Sequence, residues 1–320
     1  MVISRKVNFM KVKTISTYIA LWVLLIGTIY FALTHGASSF SLTKLNNTDL
    51  NILINIRVPR IISAIVAGAA LSVSGAFFQA SLRNPIADPG IMGVSSAAGL
   101  FQTGAMLLLP GMFLAKISFA ILGGFVAFLL LIQFQKKMDP YQLIIIGVAL
   151  SAVFSGLQEI ISSAHLSSQV LATSTWESTM YLSILSIVGI ILAIVFQQWG
   201  NYLKVNDEEL QSLGSSPEKM RIVLLMIAVL LASTVTACIG VIAFIGIIVP
   251  QVGRLLIGHD YQRIVPFSIL AGGWFLLFVD TLGRTINPPN EISAAVLLAI
   301  IGGPVMIAIL FKTVRRRNHA

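Results

Sequence analysis

Charge is scarce in this sequence: only 10% of its 320 residues are Asp, Glu, Lys or Arg, against about a quarter in an ordinary soluble domain. A soluble fold of this length could bury a good core but could not cover its surface with so little charge. That excludes an ordinary soluble enzyme and a disordered chain. There is one cysteine, Cys238, so an intrachain disulfide and a disulfide-stapled secreted scaffold are excluded too. Cys238 lies in an apolar run and reads as a small buried hydrophobe. The four histidines, His35, His165, His259 and His319, fall in expected loops or tails. None pairs at ligand spacing, so no metal site is expected. No G-x-x-x-x-G-K-[ST] loop is present, so ATP binding of that kind is absent, and neither H-E-x-x-H nor a paired cysteine motif occurs. No cofactor is expected.

What the chain has in abundance is apolar sequence: 57% hydrophobic residues and a mean hydropathy of +0.92. An all-α polytopic membrane protein follows. At about 20 residues per span plus a short loop, the length holds roughly ten spans. The basic segment Met1–Lys13 is followed by an apolar run from Ile15 to Leu33. That run is too long for the core of a signal peptide and is read as the first span. Further spans are expected near 59–81, 90–110, 113–134, 141–164, 180–199, 221–238, 241–257, 263–284 and 292–312, all within one transmembrane domain covering 1–320. The boundary at Gly240 decides between ten spans and nine.

The distribution of positive charge favours ten, with both termini cytoplasmic. Of 21 Lys and Arg residues, 16 then fall in the tails and loops of the cytoplasmic side. Five are left outside: Lys44, Arg57, Arg60, Lys116 and Arg284. This is the positive-inside bias. A nine-span arrangement would place Arg315–Arg317 outside. The net charge of +9 is thus a matter of topology, and nucleic acid is not an expected partner.

In the second span Ala64, Gly68, Ser72, Ala76 and Ala80 recur every four positions. They form one smooth helical stripe that lets another helix approach closely. Only two carboxylates are placed at membrane depth, Glu159 and Asp280. Asp280 has Arg284 one turn later, an i,i+4 ion pair. Glu159 has no local partner and is a candidate for lining a water-filled path, or for a hydrogen-bonded structural role. Arg57 and Arg60 have no acid within four positions.

The longest inside loop, 200–221, contains readable structure. Asn206 is a suitable N-cap, and Asp207, Glu208 and Glu209 suit the first turn of a helix. Gly214 can take the left-handed conformation that stops it. Ser216 and Pro217 can start another. Two short helices are therefore expected here, with Leu210 and Leu213 on one face of the first. The acidic start argues against an interfacial helix lying on anionic lipid and favours a protein-docking site.

Several blocks in order resemble the FecCD-type permeases, the membrane subunits of ABC importers for ferric siderophores, haem and cobalamin. They are Arg57-Val-Pro-Arg60; the run Gly68 to Gly75 with Gln79; Arg83-Asn-Pro-Ile-Ala-Asp-Pro89 with Gly93; Leu213-Gly214; Phe244-Ile-Gly-Ile-Ile-Val-Pro250 with Arg254, Gly258, His259, Asp260 and Pro266; and Asp280, Arg284, Pro289, Glu291 and Gly302-Gly-Pro304. The likeness runs from about residue 57 to about 310. Gln251 and Ser293 depart from it, standing where many members carry His and Pro.

The resemblance implies the type II ABC importer permease fold, ten helices per subunit, and a dimer of permease subunits, homomeric or heteromeric, with its path on the dimer axis. It implies a cytoplasmic ATPase dimer gripping the loop around Leu213 and Gly214, a contact to which Leu210, on the expected face of the same helix, is assigned as well. It implies an extracellular or periplasmic substrate-binding protein docking through Arg57, Arg60 and Arg284, and an inner gate that includes Asn84. The expected function is uptake of an iron(III) complex, siderophore or haem, across the bacterial plasma membrane. Cobalamin uptake is the alternative within the family, and an ion-coupled carrier acting alone is the alternative outside it. The latter would need an acidic relay nearer the midplane than Glu159 and Asp280.

Overall fold

The computed structural model of the protein describes residues 2–36, 46–135, 140–162, 171, 174–288 and 290–317. Among them are twelve α-helices, one π-helical turn and no strand. In order they are α1 (Val2–Thr34), α2 (Asn47–Ile52), the π-helical turn Leu53–Arg57, α3 (Val58–Ser81), α4 (Val94–Leu108), α5 (Phe113–Gln135), α6 (Pro140–Ser162), α7 (Trp176–Tyr202), α8 (Asp207–Ser212), α9 (Pro217–Ile239), α10 (Ile245–Ile257), α11 (Tyr261–Thr285) and α12 (Ala294–Arg317).

Each of the ten expected spans coincides with a helix. Seven helical stretches are long and apolar enough to cross a membrane, and α4, α10 and the apolar part of α12 are shorter. The ten-span arrangement depends on the break at Gly240. There α9 stops at a glycine with φ +88, and α10 starts after Phe244 with φ +70. Both residues have positive φ, which a continuous right-handed helix cannot contain. At 13 residues, α10 rises only about 20 Å, less than the hydrocarbon thickness of a bilayer.

The helix α3 forms the axis of the bundle. Nearly all of it is buried, and it packs along α11, α9, α7 and α10. In lipid, apolar surface does not drive helices together as it does in water, so contact rests on close approach and interhelical hydrogen bonds. Both occur here. A Cβ on Gly68 would sit 2.2 Å from the Gly272 carbonyl oxygen, and one on Gly272 would sit 2.1 Å from Ser72 Oγ. The expected stripe on α3 is therefore the α11 contact within this chain. A second contact joins α3 to α10, where a Cβ on Gly75 would lie 2.2 Å from the Gly246 oxygen. Ser74 Oγ donates to Ala228 O of α9 at 2.6 Å, and Ser63 Oγ lies 2.8 Å from Thr179 Oγ1 of α7.

Helices α1, α6 and α7 form the rim. Trp22, Val23 and Ile26 on α1, Ile145, Val153 and Ile160 on α6, and Ile187, Ile191 and Val195 on α7 are exposed. Apolar faces this large suit a hydrocarbon environment or another membrane subunit, not water.

A glycine comparison tests the packing. Gly68→Ala forces α3 and α11 apart and should cost about 1–3 kcal/mol, as overpacking does. Gly27→Ala on α1, with nothing within 4 Å of the added methyl, should leave stability unchanged or slightly raised. Thermal unfolding of both variants in detergent, followed by tryptophan fluorescence, checks this.

Candidate functional site: two polar clusters at opposite ends of α3

The 24-residue helix α3 is about 36 Å long, so its two ends lie on opposite sides of a bilayer. Each end carries a polar cluster.

At the N-terminal end, three arginines meet two carboxylates. Arg60 donates from Nε and Nη2 to Asp280, at 3.0 and 2.8 Å, and from Nη1 to Glu291 Oε2 at 2.7 Å. Arg284 Nε lies 3.3 Å from Asp280 Oδ2, the i,i+4 pair expected along α11. Arg57 donates to the Leu33 carbonyl at the end of α1. Arg57, Arg60, Arg284 and Asp280 are all less than 7% exposed. The cluster thus joins α1, α3, α11 and the segment before α12.

This corrects one inference from sequence spacing. Arg60 has no acid within four positions, yet the fold supplies it with two, from 220 and 231 residues away. A charge reversal at Arg60 would therefore break a buried ion pair as well as alter any outer surface. Arg57 is the cation of the three whose described side-chain bond goes to a backbone carbonyl instead.

At the other end of α3, the loop 82–93 meets the α7–α9 connection. Asn84 is buried and closes a turn. Its Oδ1 accepts from Ile86 N at 3.1 Å, and its own N–H donates to Gln79 O at 3.2 Å. Asp88 is also buried and accepts from Gly90 N at 2.8 Å. Burial pushes its carboxyl up to about 6, although the amides of Gly90, Ile91 and Gly246 pull the other way. Gln79 Nε2 donates to Gly246 O at 2.8 Å, and Gln251 Nε2 donates to Pro85 O at 2.7 Å. Irregular backbone buried in a membrane protein needs such internal partners. The departing residue Gln251 is thus one of the bonds that hold this loop to α10.

The α7–α9 connection contains one short helix, not two. Ser216 and Pro217 begin α9, which is itself a span of 23 residues. Proline at N1 is compatible with that start, because its missing N–H would have had no helical partner. Asn206 occupies the N-cap of α8 but its side chain makes no capping bond. The adjacent Asp207 is held instead. Arg221 donates to both its oxygens at 2.8 Å, and Arg83 Nη2 donates to Oδ1 at 2.7 Å. Burial alone would raise the Asp207 carboxyl, but Arg221 and then Arg83 outweigh it and hold it low.

The end of α8 follows the expected glycine stop. Gly214 has φ +76, Gly214 N donates to Gln211 O at 2.9 Å, and Ser215 N donates to Leu210 O at 3.0 Å. These are the two bonds of a Schellman motif. Leu210 and Leu213 do not share a face. Leu210 is buried, while Leu213 is 74% exposed. At position 213 the chain is leaving the helix, so helical spacing no longer predicts direction.

Glu159 is exposed on α6 and is not part of either cluster. The sequence singled out neither Arg83, Asp207 and Arg221 as a group nor Asp88 as a buried carboxylate. The block Arg83 to Pro89 was the available signal, but its partners lie far along the chain. His165, His319, Lys44, Lys136, Lys137 and Pro289 lie outside the described residues.

The chain is a polytopic helical bundle with a short helix, acidic in its first turn, between two spans, and its class is that of a membrane-transport permease subunit. The chain belongs to the FecCD transport family, whose model matches residues 15–312. It is 36% identical over 311 residues to the "Probable heme-iron transport system permease protein IsdF" of Staphylococcus aureus strain MSSA476, covering 94% of this chain and 97% of that protein. The protein of the same name from strain Newman is 35% identical over the same length. Among solved structures, a metal-chelate type ABC transporter in an inward-facing conformation superposes with a TM-score of 0.79 at 27% identity, covering 93% of this chain and 99% of that one. PsaBC from Streptococcus pneumoniae, in complex with Fab, gives a TM-score of 0.60 at 16% identity, over 82% and 93% of the two chains, a likeness of fold alone. The fold is that of type II ABC importer permeases, and the chain is a multi-pass plasma-membrane protein.

The arginine cluster generates a graded expectation. Asp280→Asn leaves two buried guanidinium groups without their shared anion and should cost about 3–5 kcal/mol. Glu291→Gln, at a side chain 29% exposed, should cost about 1 kcal/mol or less. Thermal unfolding in detergent ranks the two.

Proposed function

We propose that this chain carries haem, or a related iron(III) complex, through a path formed between two permease subunits. A separate cytoplasmic ATPase dimer drives the cycle through α8, and a substrate-binding protein delivers the cargo at the arginine end. The observation that carries this reading is the pairing of distinct clusters at the two ends of α3: a short helix with an acidic first turn, displaying Leu213, at one, and a three-arginine, two-carboxylate cluster at the other. The name of the curated relatives favours haem over cobalamin.

The permease itself breaks no covalent bond in this scheme. The loaded binding protein and ATP each favour one of two global states, and only such differential binding can couple them. At the α8 end, Leu213 supplies an exposed apolar knob at the C-terminus of a helix whose first turn is acidic. At the other end, the arginine cluster holds one more cation than anion, which suits an acidic partner. Glu159, on the outward face of α6, would face the path or the second subunit.

Vesicles containing the permease with its ATPase should accumulate haem from a haem-loaded binding protein only when ATP is present on the ATPase side. Uptake without any ATPase would support an ion-coupled carrier, and preferential uptake of cobalamin would reassign the cargo. A Cβ at Gly214 would meet no atom within 4 Å, but Gly214→Val places a β-branched residue in the left-handed region, at a cost of about 1–2 kcal/mol. It should insert normally and lose uptake. For the outer end, Arg57→Glu should weaken binding-protein affinity; because Arg57 is only 4% exposed, thermal unfolding of the variant in detergent must stay near native for the loss to report on docking. Native affinity in that variant at low salt would remove Arg57 from the docking surface.

A further inference from the structure

The helix α8 cannot hold its own position. It has six residues and one buried side chain, Leu210, and isolated helices this short are not stable in water. A helix so weakly packed would swivel under a force applied at Leu213, and the push would be lost in the turns at 203–206. Asp207 prevents this. Its carboxylate is shared between Arg221 in α9 and Arg83 in the loop 82–93.

The Arg83 side is built for rigidity. Its guanidinium bonds three groups at once: Leu203 O at 2.9 Å, Val205 O, and Asp207 Oδ1 at 2.7 Å. One planar fork thus holds two carbonyls of the turn that follows α7 together with the first residue of α8, a geometry a lysine ammonium cannot reproduce. Arg83 also has φ +49, a conformation that non-glycine residues adopt only when the surroundings enforce it. The next residue, Asn84, is fixed by its buried turn, and Gln251 anchors Pro85 to α10.

We infer that Arg83 and Asp207 are the positioning pair that transmits displacement of α8 to the loop 82–93, and through it to the ends of α3 and α10. The inference rests on α8 being the ATPase contact. The pair touches neither cargo nor nucleotide. Its role is to make α8 and the loop move as one body, while the bond from Arg221 ties the same carboxylate to α9.

The test uses the permease–ATPase complex in vesicles with haem-loaded binding protein, and reads haem moved per ATP hydrolysed. Arg83→Gln and Asp207→Asn should each retain membrane insertion and ATPase co-purification, yet lower that ratio by about tenfold, within the usual range for coupling between sites. Arg83→Lys should not rescue it. Because the two side chains act through one link, the double variant should fall no further than Asp207→Asn alone. A native ratio in either single variant, or losses that multiply in the double, would overturn the inference. Native-complex transport with an unaffected Asp207→Asn sinks the link alone; failure of the native complex to move haem sinks the reading of the cargo.

A second measurement does not depend on cargo. Spin labels are placed at Ile91→Cys and Glu209→Cys, with Cys238→Ala as background. Their separation should be the same in nucleotide-free and ATP-bound complexes, and should broaden or shift between the two when Asp207→Asn is added. A separation that changes with nucleotide in the native pair shows that α8 and the loop move independently, and rejects the link even if transport variants fail to fold.

Discussion

The structure depends on the contact of α3 with its neighbours, backbone against backbone. Gly68 faces Gly272 and Gly75 faces Gly246 with no room for a methyl group at either crossing. Lipid tails solvate leucine as well as another helix does, so burial of apolar area alone could not hold α3 at the centre. Close approach increases the dispersion contacts between helices and brings Ser74 and Gln79 within reach of carbonyls on α9 and α10. The rest of the bundle is arranged around that axis.

The same axis separates two kinds of electrostatics. At the N-terminal end of α3 the ions are buried and mutually compensating: removing one partner is costly, although the whole set adds little net stability. At the C-terminal end the ions are partly exposed. Arg83 and Asp207 have side chains 37% and 36% accessible, so each pair contributes less energy. A network of this kind holds geometry more than it adds stability. The first end is thus held by buried, compensated charge, and the second by a part-exposed network that fixes the position of α8 against the loop 82–93.

Burial of polar groups in loop 82–93 reflects the shortness of α4 and α10. Neither helix is long enough alone to cross about 30 Å of hydrocarbon, so irregular backbone has to enter the protein interior. Asn84, Asp88, Gln79 and Gln251 then satisfy groups that a longer helix would have satisfied internally. A loop built in this way is stiff, in contrast to most surface connections.

Much of this was legible in the sequence by itself. Hydropathy placed the ten apolar helices, seven long and three shorter, the basic residues suggested their sides, Gly240 marked the break between α9 and α10, and Gly214 marked the end of α8. These signals are local: a run of apolar residues, a cap or a left-handed glycine acts over a few positions, and one dimension suffices to find it. The tertiary structure alone decided which charges meet. Arg60 finds Asp280 across 220 residues, and Arg83 finds Asp207 across 124. It also decided that Leu210 turns inward while Leu213 points out, and that Ser216 and Pro217 open a spanning helix. Helical periodicity states which residues share a face of one helix, but not which helix packs against that face, and ion pairing follows from the packing order.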